Sequence, residues 1–177
     1  MFPVLETERL ILRCPQEADL DSFAEMMADP KAAEFLGGVV PREVVWRFIA
    51  TLAGSWVIKG YSMFSVVDKA SGRWIGRIGP WSPEGWPGTE IAWGLHPAAW
   101  GQGYASEAAE ACIDFAFGKL GWDEVIHTID PGNAPSQAVA KRVGSRWLRP
   151  GRLPPPFSQD IDIWGQTRKD WAGRKGN

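Results

Sequence analysis

The chain reads as an α+β domain, and three observations carry that reading. Three strand-like runs follow one another as a meander between residues 61 and 95. Over residues 105–116 the apolar period then switches to that of a helix. Another strand-like run follows at 124–130, so a single crossover returns the chain parallel to the strand before the helix. A mixed, mostly antiparallel sheet flanked by helices accommodates all three.

Residues 8–14 (Glu-Arg-Leu-Ile-Leu-Arg-Cys) form a first strand that ends before Pro15. Leu20, Phe23, Ala24 and Met27 then recur at helical spacing between Asp19 and Pro30. A second helix is expected over 41–52, with Val45, Phe48, Ile49 and Leu52 on one face and Pro41 in its first turn. Aromatic and β-branched residues mark a strand at 61–68. The turn at 69–72 leads to a partner strand at 73–81, and a further turn at 82–88 to a third at 89–95, stopped by His96-Pro97. The strongest helix places Ala105, Ala108, Ala109, Cys112, Ile113 and Ala116 inward and Glu107, Glu110 and Asp114 outward, with Gly121 positioned as its cap. After the strand at 124–130 comes a short helix at 135–143 ended by Gly144, a Pro-rich turn at 153–156, and a late strand at 161–164. Arg168-Lys169 and Arg174-Lys175 read as a solvated charged tail.

A length of 177 residues suits one domain spanning 1–177, large enough to bury a core without staples. A net charge of −2 offers no field for nucleic acid or an anionic membrane, and neither partner is expected. Cys14 and Cys112 have no CxxC or Cys/His spacing around them, which argues against a disulfide framework or structural zinc, and no metal is expected. No charged leader precedes an apolar stretch, and no apolar run nears the roughly 18 residues of a membrane helix, so a cytoplasmic location is expected.

Chemistry concentrates at Trp100-Gly101-Gln102-Gly103-Tyr104-Ala105, between a strand and the strongest helix. Glycines let a backbone turn tightly and bring its N–H groups close to a ligand. At a helix N-terminus those unpaired N–H groups and the helix dipole favour an anion, phosphate above all. A ligand-free turn is the alternative. Two other phosphate loops are excluded by spacing. Ser106 occupies the place of the third glycine of a dinucleotide fingerprint, and the Gly118-Lys119 pair is followed by Leu120 rather than Ser or Thr.

The stretch from Glu90 to Ala109 resembles the acetyl-CoA signature of the GNAT superfamily of N-acetyltransferases, and within it the ribosomal-protein-N-acetyltransferase-like branch. Three further segments agree in order: residues 7–13, Asn133-Ala-Pro-Ser136 with Gly144, and residues 162–164 through Trp171. The resemblance implies acetyl-CoA as co-substrate, held in a wedge where the parallel strands at 89–95 and 124–130 splay apart. It places the pyrophosphate on the backbone N–H groups of Gly101, Gln102, Gly103, Tyr104, Ala105 and Ser106. The pantetheine arm would pair with backbone around Leu95, where an N–H polarises the acetyl carbonyl. The acceptor amine then attacks the thioester directly. Because it must be neutral to attack, a base is needed, and Glu90 matches the family's acidic position; a solvent-facing strand carboxylate is the other reading. Asn133 and Ser136 match positions near the pantetheine and sulfur, with Ser136 either a donor to the leaving thiolate or a helix N-cap.

Three residues depart from the family pattern. Ala140 stands where many members carry a tyrosine acid, Ser145 replaces an aromatic residue, and Trp100 opens the glycine turn. The implied acceptor is an amine-bearing small molecule or a protein N-terminus, acted on by a monomer or homodimer. A non-catalytic acyl-CoA-binding module is the competing reading, motivated by Ala140 and Ser145. Among the remaining residues, His127 reads as a core imidazole, His96 as polar surface and Cys112 as core. Trp74, Trp93 and Trp147 suit packing. By the resemblance, Trp46, Trp56, Trp81 and Trp86 border the acceptor pocket; gathered in one cleft they would suit an apolar, aromatic or cationic substrate.

Overall fold

The computed structural model describes residues 2–175, and one eight-stranded sheet organises them. The first strands are β1 (Leu5–Glu6) and β2 (Leu10–Arg13); β3 (Phe64–Asp68), β4 (Trp74–Trp81) and β5 (Glu90–Leu95) form the expected meander. Beyond them come β6 (Glu124–Ile129), β7 (Arg146–Arg152) and β8 (Asp160–Thr167), in the spatial order β1-β2-β3-β4-β5-β6-β8-β7. Every neighbouring pair is antiparallel except β5 and β6. That exception is the crossover anticipated from the helix at 105–116, here α4 (Tyr104–Gly118).

Side-chain alternation divides the sheet into two faces. On one, Leu10, Leu12, Phe64, Val66, Ile78, Ile91 and Val125 pack with Ala108, Ala109, Cys112, Ile113 and Ala116 of α4. The other is covered by α1 (Leu20–Ala28), the single turn α2 (Pro30–Ala33) and α3 (Arg42–Lys59), whose Phe23, Met26, Met27, Val45, Ile49 and Leu52 bury Met63 and Trp74. Asp19 pins the start of α1 to this sheet. Burial works against its charge, yet the Arg13 guanidinium at 2.6 Å and the Ser65 hydroxyl at 2.6 Å hold it below the usual carboxylate range.

Several expectations need correction. Helix α3 runs to Lys59, and its last turn carries Trp56 into the core against Phe64 at 4.9 Å, so Trp56 borders no pocket. Glu107 does not face outward freely: it accepts from Thr7 Oγ1, Arg9 N and Arg9 Nε, tying α4 to the start of β2. Helix α4 ends at Gly118, three residues before Gly121. The charged tail is a helix, α6 (Arg168–Lys175), held by Trp171, which is 5% exposed and donates to Asp114. Strand β7 was not anticipated. No described helix is long and apolar enough to cross a membrane.

Candidate active site

The parallel pair β5–β6 is barely a pair. Glu90 lies opposite Ile126, Ile126 N donates to Thr89 O, and no further register partners connect the two strands among the described residues. Beyond that point they diverge. In the gap His127 donates its Nδ1–H to Ile91 O at 2.7 Å, accepts at Nε2 from the Ser145 hydroxyl at 2.9 Å, and packs on Trp93 with ring centres 4.6 Å apart. Burial pushes its pKa down to about 4, so this imidazole is neutral and fully engaged, as a core histidine should be. Ser145 also accepts from Gln166, so the residue in place of the family aromatic stitches β6 to β8.

A cavity of about 510 Å³ passes through the gap and joins the two faces of the sheet. On the α4 face it is lined by Trp93, His127, Asn133 and Ser136; on the other by Arg77, Trp81, Glu90, Ala92 and Thr128. Its walls on that second face are Leu36, Phe48 and Leu52 from the helical side, and the 153–157 segment between β7 and β8. Trp86 completes an aromatic corner, 6.4 Å from Trp81 and 6.4 Å from Phe157 in edge-on contacts. Two of the four tryptophans expected at an acceptor pocket, Trp81 and Trp86, are therefore there; Trp46 is an exposed residue of α3 outside the lining.

Glu90 is not a solvent-facing carboxylate, being 3% exposed. Thr128 donates to it twice, from N at 2.7 Å and from Oγ1 at 2.9 Å, and Trp86 Nε1 donates at 2.6 Å. Burial raises its pKa to about 7, against the opposing pull of those donors and of the Arg77 charge. A carboxyl poised near neutrality can both accept and release a proton at physiological pH.

Asn133, not Ser136, caps α5 (Ala134–Arg142): its Oδ1 accepts from Ser136 N at 3.1 Å. Ser136 Oγ accepts from Trp93 Nε1 at 3.2 Å, which leaves its own proton free to be donated. Ala140 is fully buried against Ile129 and Trp164 and brings no hydroxyl to the site. Leu95 and the turn from Gly101 to Ser106 do not line the cavity. They lie where β5 runs on past the gap into α4, with Leu95 O accepting from Trp100 Nε1. Gly101 (φ 74°) and Gly103 (φ 80°) adopt left-handed conformations, and Gly103 caps the 15-residue α4 without a side chain on its first N–H groups. Arg9 holds the turn from behind through Gln102 O at 2.9 Å, Gln102 Nε2 donates to Ala98 O, and Arg142 reaches Ser106 Oγ at 3.3 Å.

Sequence reasoning missed Arg77, Thr128 and the Trp86 N–H. Arg77 left a signal, a lone cation in the apolar strand Trp-Ile-Gly-Arg-Ile-Gly-Pro-Trp. Thr128 left none, because its place beside Glu90 depends on a pairing across 38 positions.

The mixed sheet is split at its parallel pair, and the cavity in the split is walled by a buried carboxylate and aromatic side chains. The comparisons supply the class. The acetyltransferase (GNAT) domain family model matches residues 9–146. The uncharacterized protein YkkB of Bacillus subtilis is 30% identical over 148 residues, covering 82% of this chain and 86% of its own. The uncharacterized N-acetyltransferase YnaD of the same organism is 29% identical over 143 residues, 80% and 82% of the two chains. An acetyltransferase structure from Agrobacterium tumefaciens aligns with a TM-score of 0.84 at 29% identity, covering 95% of this chain and 96% of its own. The chain belongs to the GNAT acetyltransferase family, whose members use acetyl-CoA as co-substrate.

The residues present suit that co-substrate. Past Glu90, the edge of β5 that faces β6 has no strand partner, and the first N–H groups of α4 have no side-chain cap.

Proposed function

We propose that this N-acetyltransferase moves an acetyl group to a primary amine within the cavity between β5 and β6, with Glu90 as general base. The carrying observation is the buried Glu90 carboxylate in the wall of a cavity open to both sheet faces. Acetyl-CoA supplies the activated acyl carbon. The α4 N-terminus from Gly101 to Ser106 favours its phosphates through backbone N–H groups and the helix dipole. The edge of β5 past Glu90, which lacks a strand partner among the described residues, takes the extended arm around Leu95, and Asn133 and Ser136 stand at the sulfur end.

Amines are mostly protonated at neutral pH, with pKa values from about 8 to about 10.4. Glu90, ionised, takes that proton; the N–C bond then forms as the C–S bond breaks. The second amine proton, shed as the amide forms, reaches the departing thiolate through solvent or through the Ser136 hydroxyl, which gives one proton to the sulfur and regains one. An apolar, aromatic wall excludes water from the amine and strengthens these charge interactions.

The base must be ionised, so kcat/KM should rise with pH through a limb near 7. Glu90→Gln should lower kcat by about 10²-fold or more, remove that limb, and leave acetyl-CoA affinity near wild type. Full activity in the variant, with the limb intact, would remove Glu90 from this role. Turnover by the wild type also separates an enzyme from a module that only binds acyl-CoA.

A further inference from the structure

Resting on the acetyltransferase reading above, we propose that the acceptor is a free amino acid with an apolar or aromatic side chain, and that Arg77 binds its carboxylate. Arg77 lies opposite Gly94 and Trp81 lies opposite Glu90 on the paired strands, so Arg77 shares one sheet face with the proposed base. Both line the same cavity. Arg77 is partly buried, and its Nε is closed to solvent without a hydrogen-bond partner. Its Nη1 meets only the soft Sδ of Met63, at 2.8 Å, and its face lies 5.8 Å from the Phe23 ring.

Among the described residues Arg77 forms no ion pair. Glu90 influences it through space, but no hydrogen bond joins the two, and Glu90 is held instead by Thr128 and Trp86. The other acidic groups of the lining are engaged or outward: Asp130 accepts from Gly132 N and Gln159 Nε2, and Glu84 is exposed. Burial lowers the Arg77 pKa to about 10, which still leaves it charged at neutral pH.

A desolvated cation with open donors is costly unless an anion completes it. The planar fork of arginine matches a carboxylate in two parallel hydrogen bonds. An α-amino acid carries that carboxylate beside the amine that Glu90 must deprotonate. Trp81, Trp86 and Phe157 then offer three aromatic surfaces for the side chain. At about 510 Å³ the cavity lies in the range that encloses a whole small molecule.

The test is acetyl transfer by the wild type to phenylalanine, tryptophan, leucine and methionine, each beside its methyl ester and its decarboxylated amine. For at least one of the four, kcat/KM for the amino acid should exceed that for both counterparts lacking the carboxylate by about tenfold or more. Arg77→Met should collapse this ratio toward one, with Arg77→Lys between. Equal or faster turnover of every ester and decarboxylated amine by the wild type would overturn the proposal, leave the acetyltransferase reading standing, and need no variant to fold. Failure to bind acetyl-CoA would overturn both.

Discussion

At the scale of single residues, the chemistry depends on which polar groups are already satisfied. Glu90 accepts from three donors on one side and keeps a face toward the cavity, so burial raises its pKa without locking it away. Ser136 is the mirror case. Its oxygen is held by the Trp93 indole, and its proton is uncommitted. With Ala140 in the tyrosine's place, Ser136 is the protein donor that stands nearest the sulfur end in this account. Ser136→Ala should therefore lower kcat by about tenfold, while the KM for acetyl-CoA moves by less than about threefold. Thiol release measured under saturating amine checks this; an unchanged kcat would assign the thiolate's proton to solvent. Glu90 could be picked from the sequence as an acid at the right place on a strand. Its burial could not, because Thr128 and Trp86 reach it only once the strands are paired and the 82–88 turn has folded back.

At the scale of elements, the glycine turn and the helix it opens were legible, since two glycines before an apolar 3.6-residue period have few other uses. Gly103 sits at φ 80°, where a side chain costs about 1–2 kcal/mol. Gly103→Ala should thus raise the KM for acetyl-CoA by about tenfold, as the turn re-aims its N–H groups, with a smaller effect on kcat. Steady-state kinetics with acetyl-CoA varied would detect this, and unchanged KM would mean the turn does not touch the phosphates. Strand β7 was illegible for a physical reason. It is the sheet's last strand, its residues are mostly exposed, and it contains Pro150 and Gly151, which an edge tolerates. A Cβ at Gly151 would come within 2.7 Å of Ile163 Cδ1, so a larger residue there requires that side chain to shift. Helix α6 was hidden likewise, because its string of charges is organised only by tertiary contacts, among them Trp171 and Arg174 against α4 and Asp170 with Arg146.

For the whole molecule, the two halves of the sheet have different jobs. The antiparallel β1–β5 half is covered by α4 on one face and α1–α3 on the other. The β6–β8–β7 half diverges from it past Glu90, and side chains rather than a ladder bridge the gap there, Glu90 with Thr128 and His127 with Ile91. The meander and the crossover were readable from local patterns; the split between them was not, because it reflects the absence of ladder bonds rather than any residue type. In the proposed reaction, that split separates the donor side from the acceptor side. The most direct test is a thermal-shift titration with acetyl-CoA, with free CoA and ATP as controls. Ligand at about 100 times its Kd adds roughly 2.7 kcal/mol, or about 5–10 °C for a chain of this size. Shifts of that order with both CoA forms and none with ATP are what a pantetheine-binding gap predicts. No shift with acetyl-CoA, or an equal shift with ATP, would contradict it.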